Sequence, residues 1–335
     1  MSSSFRARRR PTIEDVAKRA GVSRQTVSRA INAKGEISPA TRELVMEAID
    51  ELGYRPNRLA QGMVTRRTRT VALVAGDIRN PFFGEVAHGA GSYLAKYDHK
   101  LLILDTDEDA GRELSALRDL SHDVDGIIAF LYHSDLDELR SIAELVPALV
   151  VLNREVPLEG ARVVSVDLVD AGRQVARHLL YRGHRHVAVV HNATQPLGTS
   201  RRVRGFVETF EAHGGSPVVR LVAQPTMQGG VAIGPDLVQD HPEVTAVFAY
   251  NDLVAAGVAA SVRREGRSVP GDLAVVGCDD IAIAATWDPP LTTVRIGAEN
   301  LGALAAQHAL ELLGVSVPPA DMAVLGVQLV ERDST

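Results

Sequence analysis

The fold this 335-residue sequence predicts is a small all-α head built on a helix-turn-helix, followed by an α/β core of two doubly wound parallel-sheet subdomains. Three observations predict it. Residues 11–56 place apolar side chains at helical spacing, punctuated by glycine and proline. From Val71 onward, short β-branched runs alternate with amphipathic stretches of about 12 to 15 residues, as strands and helices do in parallel sheets. Eight or more such runs exceed the roughly four to six strands of an ordinary sheet, so two similar units in tandem are the simpler account.

The head comes first. In the segment Thr12–Asn32, Ile13, Val16, Ala17 and Ala20 fall on one helix face. Gly21 permits a tight turn. Ser23 is a suitable N-cap for a second helix, whose Val27, Ala30 and Ile31 face inward. Arg24, Gln25, Thr26, Ser28 and Arg29 are left on its outer face. Such a face can hydrogen-bond base edges and phosphates of duplex DNA. The alternative, a small bundle with a basic surface, is the weaker reading of this motif. Ser38-Pro39 opens a third helix with an N-cap and a proline at the first position. Leu44, Val45, Ala48, Ile49 and Leu52 form its expected apolar stripe, and Gly53 ends it. In Tyr54-Arg55-Pro56-Asn57-Arg58-Leu59-Ala60-Gln61-Gly62-Met63-Val64, Pro56 can start a short helix at Asn57 among basic residues. Residues 65–70 read as a polar linker.

The core strands are expected at Val71–Ala75, Leu101–Asp105, Gly126–Leu131, Ala148–Leu152, Val187–Val190, Val218–Val222, Ala246–Ala249 and Leu273–Val276. A helix at Ala298–Leu313 and an apolar strand at Ala323–Val330 can cross back to complete both units. The expected division is a basic tail at 1–10, the helix-turn-helix domain at 11–56, a hinge and linker at 57–70, and the core at 71–335. Within the core, the N-subdomain takes 71–166 plus 292–318. The C-subdomain takes 167–291 plus 319–335.

The net charge of −6 conceals an asymmetry. Residues 1–70 hold 15 Lys+Arg against 7 Asp+Glu, a net of +8; the remainder hold 21 against 35, a net of −14. A basic head on an acidic body is expected to place only the head on a polyanion. The single cysteine, Cys278, excludes an intrachain disulfide. No apolar run approaches the roughly 20 residues of a membrane span. The opening Ser-Ser-Ser-Phe-Arg-Ala-Arg-Arg-Arg lacks an apolar core, so it does not read as a secretory signal and a cytoplasmic location is expected. That tail either adds phosphate contacts or is simply disordered.

Ligands of doubly wound sheets bind beyond the carboxyl ends of strands. The polar and aromatic residues there are Asp77, Asn80, Phe82 and Phe83 after the first strand, Asn153 and Arg154 after Leu152, Asn251 and Asp252 after Tyr250, and Asp279 and Asp280 after Cys278. Facing strand ends would form a cleft with donors, acceptors and rings that can stack on a sugar or base. Asn251 and Asp252 also read as a helix N-cap pair, and Asp279 as a cap of the next turn. Tyr132, His133 and Trp287 are further candidates near the same mouth, with core packing an equal reading for Trp287.

Thr12–Asn32, Tyr54-Arg55-Pro56-Asn57, Asp77-Ile78-Arg79-Asn80-Pro81-Phe82-Phe83, Val124-Asp125-Gly126-Ile127-Ile128, Tyr250-Asn251-Asp252, and Val275-Val276-Gly277-Cys278-Asp279-Asp280 with Pro289-Pro290-Leu291-Thr292-Thr293-Val294 together resemble the LacI/GalR family of bacterial transcription regulators. The match runs from about residue 11 to 332. The resemblance implies a periplasmic-binding-protein-like core and a homodimer on a pseudo-palindromic operator. It implies DNA contacts by Thr12, Ser23, Arg24, Gln25, Thr26, Ser28, Arg29, Asn32 and Tyr54, with Arg24 and Gln25 selecting bases. Asn57, Arg58, Ala60 and Met63 match a hinge helix that enters the minor groove, with Met63 where the family usually has leucine as an apolar wedge. Gly62 costs that helix roughly 1 kcal/mol relative to alanine, which suits a segment that folds on DNA. For the effector, the matching positions are Asp77, Phe82, Phe83, Asn153, Arg154, Arg202, Asn251, Asp279 and Trp287. Arg202 begins an Arg-x-x-Gly-Phe motif, and Ser200 stands where some sugar-binding members have another arginine. Cys278, where an aromatic residue is common, reads as a small buried residue.

The function expected is therefore a transcription regulator, most simply a repressor, gated by a sugar or sugar derivative. A purine- or other metabolite-responsive regulator is the alternative. A solute-binding protein is disfavoured by the basic head. An enzyme is disfavoured because Gly76-Asp77-Ile78-Arg79-Asn80-Pro81 is no phosphate loop, and no nucleophile–base pair is visible. His184-Arg185-His186 has no third ligand nearby and reads as structural, so no metal and no cofactor are implied. The lack of a heptad extension after Val330 favours a dimer over a tetramer.

Overall fold

The computed structural model describes residues 11–32, 37–54, 67–131, 136–153, 159–195, 200–320 and 324–335. The chain divides into two compact units, Met1–Thr68 and Arg69–Thr335.

Among the described residues the head holds three helices, α1 (Ile13–Ala20), α2 (Arg24–Asn32) and α3 (Pro39–Leu52). Thr12 and Asp15 close a reciprocal capping box on α1, and Gly21 ends it at φ 65°. Ser38 caps α3 from Thr41 N–H, with Pro39 at its first position. Val16, Ala17, Val27, Ala30, Val45 and Ala48 form the head's core, with Ile13, Ile31, Ile49, Leu52 and Tyr54 packed around it. Leu44 departs from expectation, because it is 53% exposed. Val45, Ala48, Ile49 and Leu52 already complete the i, i+3, i+4, i+7 stripe, and residue 44 falls about 100° outside it.

The core holds two parallel sheets. The first comprises β1 (Thr70–Ala75), β2 (Lys100–Asp105), β3 (Gly126–Phe130), β4 (Leu149–Leu152), β5 (Ala161–Val166) and, at its edge, β11 (Val324–Leu325), in the order β11-β5-β4-β3-β1-β2. The second comprises β6 (Val187–Asn192), β7 (Val219–Ala223), β8 (Ala246–Phe248) and β9 (Ala274–Val276), in the order β7-β6-β8-β9. An antiparallel ribbon of β10 (Thr293–Arg295) and β12 (Gln328–Val330) joins them. The helices are α4 (Pro81–Ala95), α5 (Ala110–Leu120), α6 (Leu136–Ala143), α7 (Leu168–Tyr181), α8 (Arg201–Ala212), α9 (Met227–Gln239), α10 (Asp252–Arg264) and α11 (Ala298–Leu312).

Two expectations change here. The strand β5 was not anticipated, because Ala161-Arg162-Val163 interrupts its apolar run. The continuous strand expected at Ala323–Val330 is two short ones separated at Gly326-Val327. Its first part pairs with β5 in the first sheet, whereas the expected division gave 319–335 to the C-subdomain. Residues 332–335 do join the second sheet, where Ser334 accepts from Val275 N–H and donates to Val275 C=O.

Three helix pairs cover the sheets, and each crosses on a reciprocal pair of glycines. A Cβ on Gly89 would lie 1.9 Å from the Glu299 carbonyl oxygen, and one on Gly302 2.0 Å from that of Val86. The same holds for Gly172 and Gly205 between α7 and α8, and for Gly230 and Gly257 between α9 and α10. Bare backbone at these six positions lets the helices approach closely enough to fix the angle and depth of each pair.

In both sheets the strand order reverses next to the first strand, between β1 and β3 and between β6 and β8. Those reversals are the points where a doubly wound sheet opens a crevice. Among the described residues no helix is long and apolar enough to cross a membrane.

Candidate functional site

On the head, the outer face of α2 presents Arg24, Gln25 and Arg29 to solvent, with Thr26 and Ser28 half-buried. Arg24 donates to Glu14 at 2.9 Å, so α1 orients the first side chain of α2. Ser23 accepts from Thr26 N–H, and the two hydroxyls pair at 2.9 Å. Thr12 is engaged by Asp15, and Tyr54 is half-buried against the head's core, where burial pushes its phenol up. These three residues thus carry local structure in addition to any contact with DNA. Asn32 ends α2, but its side chain lies outside the described residues. So do Asn57, Arg58, Ala60 and Met63, and with them all of residues 55–66; Arg154, Tyr132 and His133 are outside as well.

In the core, Asn80 caps α4 by accepting from Phe82 N–H at 3.1 Å. That cap turns Phe82 and Phe83 inward onto Phe130 at the end of β3. The three rings meet edge-to-face at centroid distances of 5.3, 5.9 and 5.1 Å. Across from them, Ser200 precedes α8, and Arg202 projects from its first turn. The Arg202 guanidinium stacks 4.5 Å from the Tyr250 ring centroid, donates to the Tyr250 carbonyl, and lies 3.9 Å from the Asp279 carboxylate. All three groups are largely or wholly buried, and the Asn80 side chain, from the end of the opposite sheet, lies near enough to the Asp279 carboxylate to favour its charged form. Burial pushes the Asp279 carboxyl well up, against the opposing pull of Arg202. Asp279 also holds φ at 130°, a conformation seldom adopted by a side-chain-bearing residue, and strain of this kind concentrates at functional sites.

The strand ends are tied across the gap. Glu108, after β2, accepts from Asn192 at 3.2 Å and from the Thr194 hydroxyl at 2.5 Å. Arg201 donates to the Asn153 carbonyl at 3.1 Å, while the Asn153 side chain accepts from Val166 N–H. Gln195 donates to the Tyr250 hydroxyl.

Other expected residues lie apart from this cluster. The Asp77 carboxylate is taken up by Arg79, at 2.7 Å. Asn251 caps α10 at Val254 N–H and donates to the Pro225 carbonyl, which leaves one amide N–H and one lone pair of its side chain. Trp287 lines a different cavity, with Ala255, Ala256, Ala259 and Leu291, on the outer face of α10. There it lies against the small residues of α10. Asp280 is clamped by Arg295 and Arg332. Asp252 bridges Ile281 N–H and the Thr293 hydroxyl, and burial pushes its carboxyl up to about 6. Cys278 is fully buried, its thiol pushed up to about 12 by burial. His184 pairs with the Thr245 hydroxyl, and among the described residues no group of three or more His, Cys, Asp or Glu could hold a metal. Glu108, Asn192, Thr194, Gln195 and Tyr250 escaped the sequence reading. The strand-end rule, applied after β2 and β6 as it was after β1, would have found the first three.

A helix-turn-helix unit with a polar recognition face, joined to a core that gathers buried polar groups between two sheets, defines a DNA-binding regulator with a ligand-binding core. The comparisons agree. Residues 12–57 match the model of bacterial regulatory proteins of the lacI family, and residues 176–335 match that of the periplasmic binding protein-like domain. The chain is 35% identical to the HTH-type transcriptional regulator CelR of Thermobifida fusca over 98% of its own length and 99% of that protein's. It is 34% identical to the regulator GalS of Salmonella typhimurium, covering 90% of this chain and 89% of that one. The solved CelR–cellobiose complex is similar at a TM-score of 0.69 and 33% identity, covering 97% of this chain and all of that one. The Lac repressor dimer bound to operator and the anti-inducer ONPF shares the fold at a TM-score of 0.83, covering 97% and 99% at 23% identity. The chain belongs to the LacI family of transcriptional regulators.

Proposed function

We propose that this protein is a cytoplasmic, homodimeric repressor whose operator affinity is set by a sugar held between the strand ends of its core. The observation that carries the reading is the buried Arg202–Tyr250–Asp279 cluster joined by Asn80 from the facing sheet. A guanidinium and a carboxyl side by side bind vicinal hydroxyls as paired donor and acceptor, and the Phe82 and Phe83 rings supply apolar wall. Because Asn80 and Asp279 come from opposite sheets, a ligand touching both favours the closed core. The CelR relative's complex with cellobiose makes a glucose disaccharide the first effector to try. Effector and operator must then bias one equilibrium reciprocally, with a coupling of about 1–3 kcal/mol.

On DNA, Arg24, Gln25 and Arg29 read base edges in the major groove, and Ser23, Thr26 and Ser28 set register on phosphates. Thr12, Asn32 and Tyr54 flank that contact, and Asn57, Arg58, Ala60 and Met63 occupy the minor groove. The body's net −14 keeps non-specific contact with DNA confined to the head.

Two apolar faces support the homodimer. The edge strand β2 leaves Leu102 and Ile103 42% and 47% exposed, a liability for an uncovered edge. On the second subdomain, the cavity of about 370 Å³ beside Trp287 is lined mostly by apolar residues, among them Met227, Val269, Leu291 and four alanines of α10. A second copy related by two-fold symmetry covers both and matches a pseudo-palindromic site. Calorimetric titration of cellobiose, monosaccharides and purines into the intact protein tests the effector. A ligand at 100 times its Kd adds about 2.7 kcal/mol to core stability. Binding by a purine and no sugar would replace the sugar reading with the purine one.

A further inference from the structure

Behind α8, on the side away from Arg202, a cavity of about 160 Å³ opens between α8 and the edge of the second sheet. It is lined by His191, Ser200, Val203, Arg204, Val207, Glu208 and Arg220. At about 30 Å³ per water this is room for roughly five waters, or for one tetrahedral oxyanion. Its floor is unusual. His191 lies on the buried strand β6, is 3% exposed, and its Nε2 has no hydrogen-bond partner. A buried polar atom left unpaired carries a penalty that native proteins rarely accept without a reason. Ser200 is 7% exposed, and its hydroxyl does not cap the helix it precedes. The rim adds two guanidinium groups, Arg204 and Arg220, and one carboxylate, Glu208. Burial, and then the Arg220 charge, favour the neutral His191 imidazole, and the tautomer with its hydrogen on Nε2 can donate to an anion there.

We propose that this cavity binds a phosphate group, as free inorganic phosphate or as the monoester of a small metabolite. Arg220 and Arg204 supply charge-assisted donors, and Ser200 and the His191 Nε2–H supply neutral ones. Glu208 sets the selectivity. A protonated phosphate oxygen donates to a carboxylate, whereas sulfate has no proton to give and meets only repulsion. The site has a route to the effector cleft through α8, which carries Arg201 and Arg202 to the other side. A phosphate seated against Ser200 steadies the first turn from which both arginines project.

The test is calorimetry of inorganic phosphate, against potassium sulfate at matched ionic strength, on the intact protein and on Arg220→Ala and Glu208→Gln. Both side chains are exposed, so the variants keep the fold, which far-UV circular dichroism checks. The expected result is one saturable phosphate site, weakened about tenfold or more in Arg220→Ala by loss of a charge-assisted hydrogen bond. Sulfate should bind about tenfold or more weaker than phosphate, and Glu208→Gln should close that gap. An Nε2–H resonance of His191 that shifts on saturation would place the anion on the cavity floor. Absence of saturable binding in the millimolar range overturns the proposal, as does phosphate binding that Arg220→Ala leaves unchanged. The sugar reading of the cleft stands or falls independently of either result.

Discussion

Gly205, in the Arg-x-x-Gly-Phe motif of α8, gives the most quantitative handle on the site. A Cβ there would lie 2.1 Å from the Val169 carbonyl oxygen, and ordinary contact begins at 3.4 Å. In Gly205→Ala the two helices must therefore separate by about 1.3 Å, and no rotamer change relieves a clash with backbone. Overpacking of this kind costs about 1–3 kcal/mol. The strain also displaces Arg202, three residues earlier on the same helix, from its hydrogen bond to Tyr250 and its place beside Asp279. A misplacement of that size at a binding group weakens a ligand by about tenfold or more. Urea denaturation reads the stability loss, and effector titration reads the affinity. Gly91→Ala is the control, because a Cβ there meets only Leu101 side-chain atoms, the nearest at 3.7 Å. It should be neutral or stabilising by up to about 1 kcal/mol in the interior of α4. Equal stability of the Gly205 and Gly91 variants would refute the packing argument.

Four further outcomes are expected. Asp252 has its carboxyl raised from 3.8 to about 6, so its contribution is complete below pH 4 and lost as pH rises through 6. Relative to Asp252→Asn, the wild-type core should lose about 3 kcal/mol over that window at 1.36 kcal/mol per unit, by chemical denaturation at each pH; the difference removes the opposing contribution of His178, His184 and His191, whose pKa values desolvation lowers. Thr194→Ala deletes a hydrogen bond to the Glu108 carboxylate, worth about 1.5–3 kcal/mol, so the closed core is less populated and effector affinity falls, unless the clasp forms only incidentally and calorimetry shows no change. Arg24→Ala should relax the choice of one base pair by about 1–3 kcal/mol, and replacing Trp287 by Asp should shift sedimentation from dimer toward monomer.

The head was legible nearly residue by residue, because capping, glycine turns and helical periodicity are local. Leu44 misled because an apolar residue beside a complete stripe looks like part of it. The core strands were legible from β-branched runs, but β5 was not, since its arginine interrupts the pattern on a strand next to the sheet edge, where the two-residue β11 covers only part of it. Within the site, Phe82, Phe83 and Asp279 could be placed by strand-end position, and Arg202 only through the Arg-x-x-Gly-Phe resemblance. Asn251 and Trp287 could not be assigned from spacing, because a cap, a core residue and a ligand contact share the same residue types. The cross-sheet partners Asn80–Asp279 and Glu108–Thr194 are some 200 and 86 residues apart. Nothing local announces such pairs, which exist only once two sheets face each other. The reciprocal glycines were equally silent, since a glycine in a helix reads as a weak point until its partner is known.

The central claim is that one ligand in the core changes the grip of the head on DNA. Its most direct test is the binding isotherm of the intact protein on a pseudo-palindromic duplex selected from random DNA, with and without cellobiose and related sugars at saturation. The account predicts a two-fold symmetric selected site, affinity that falls steeply with salt, and a shift of about 5- to 150-fold with one sugar. An isotherm unmoved by every ligand that demonstrably binds the core would contradict it.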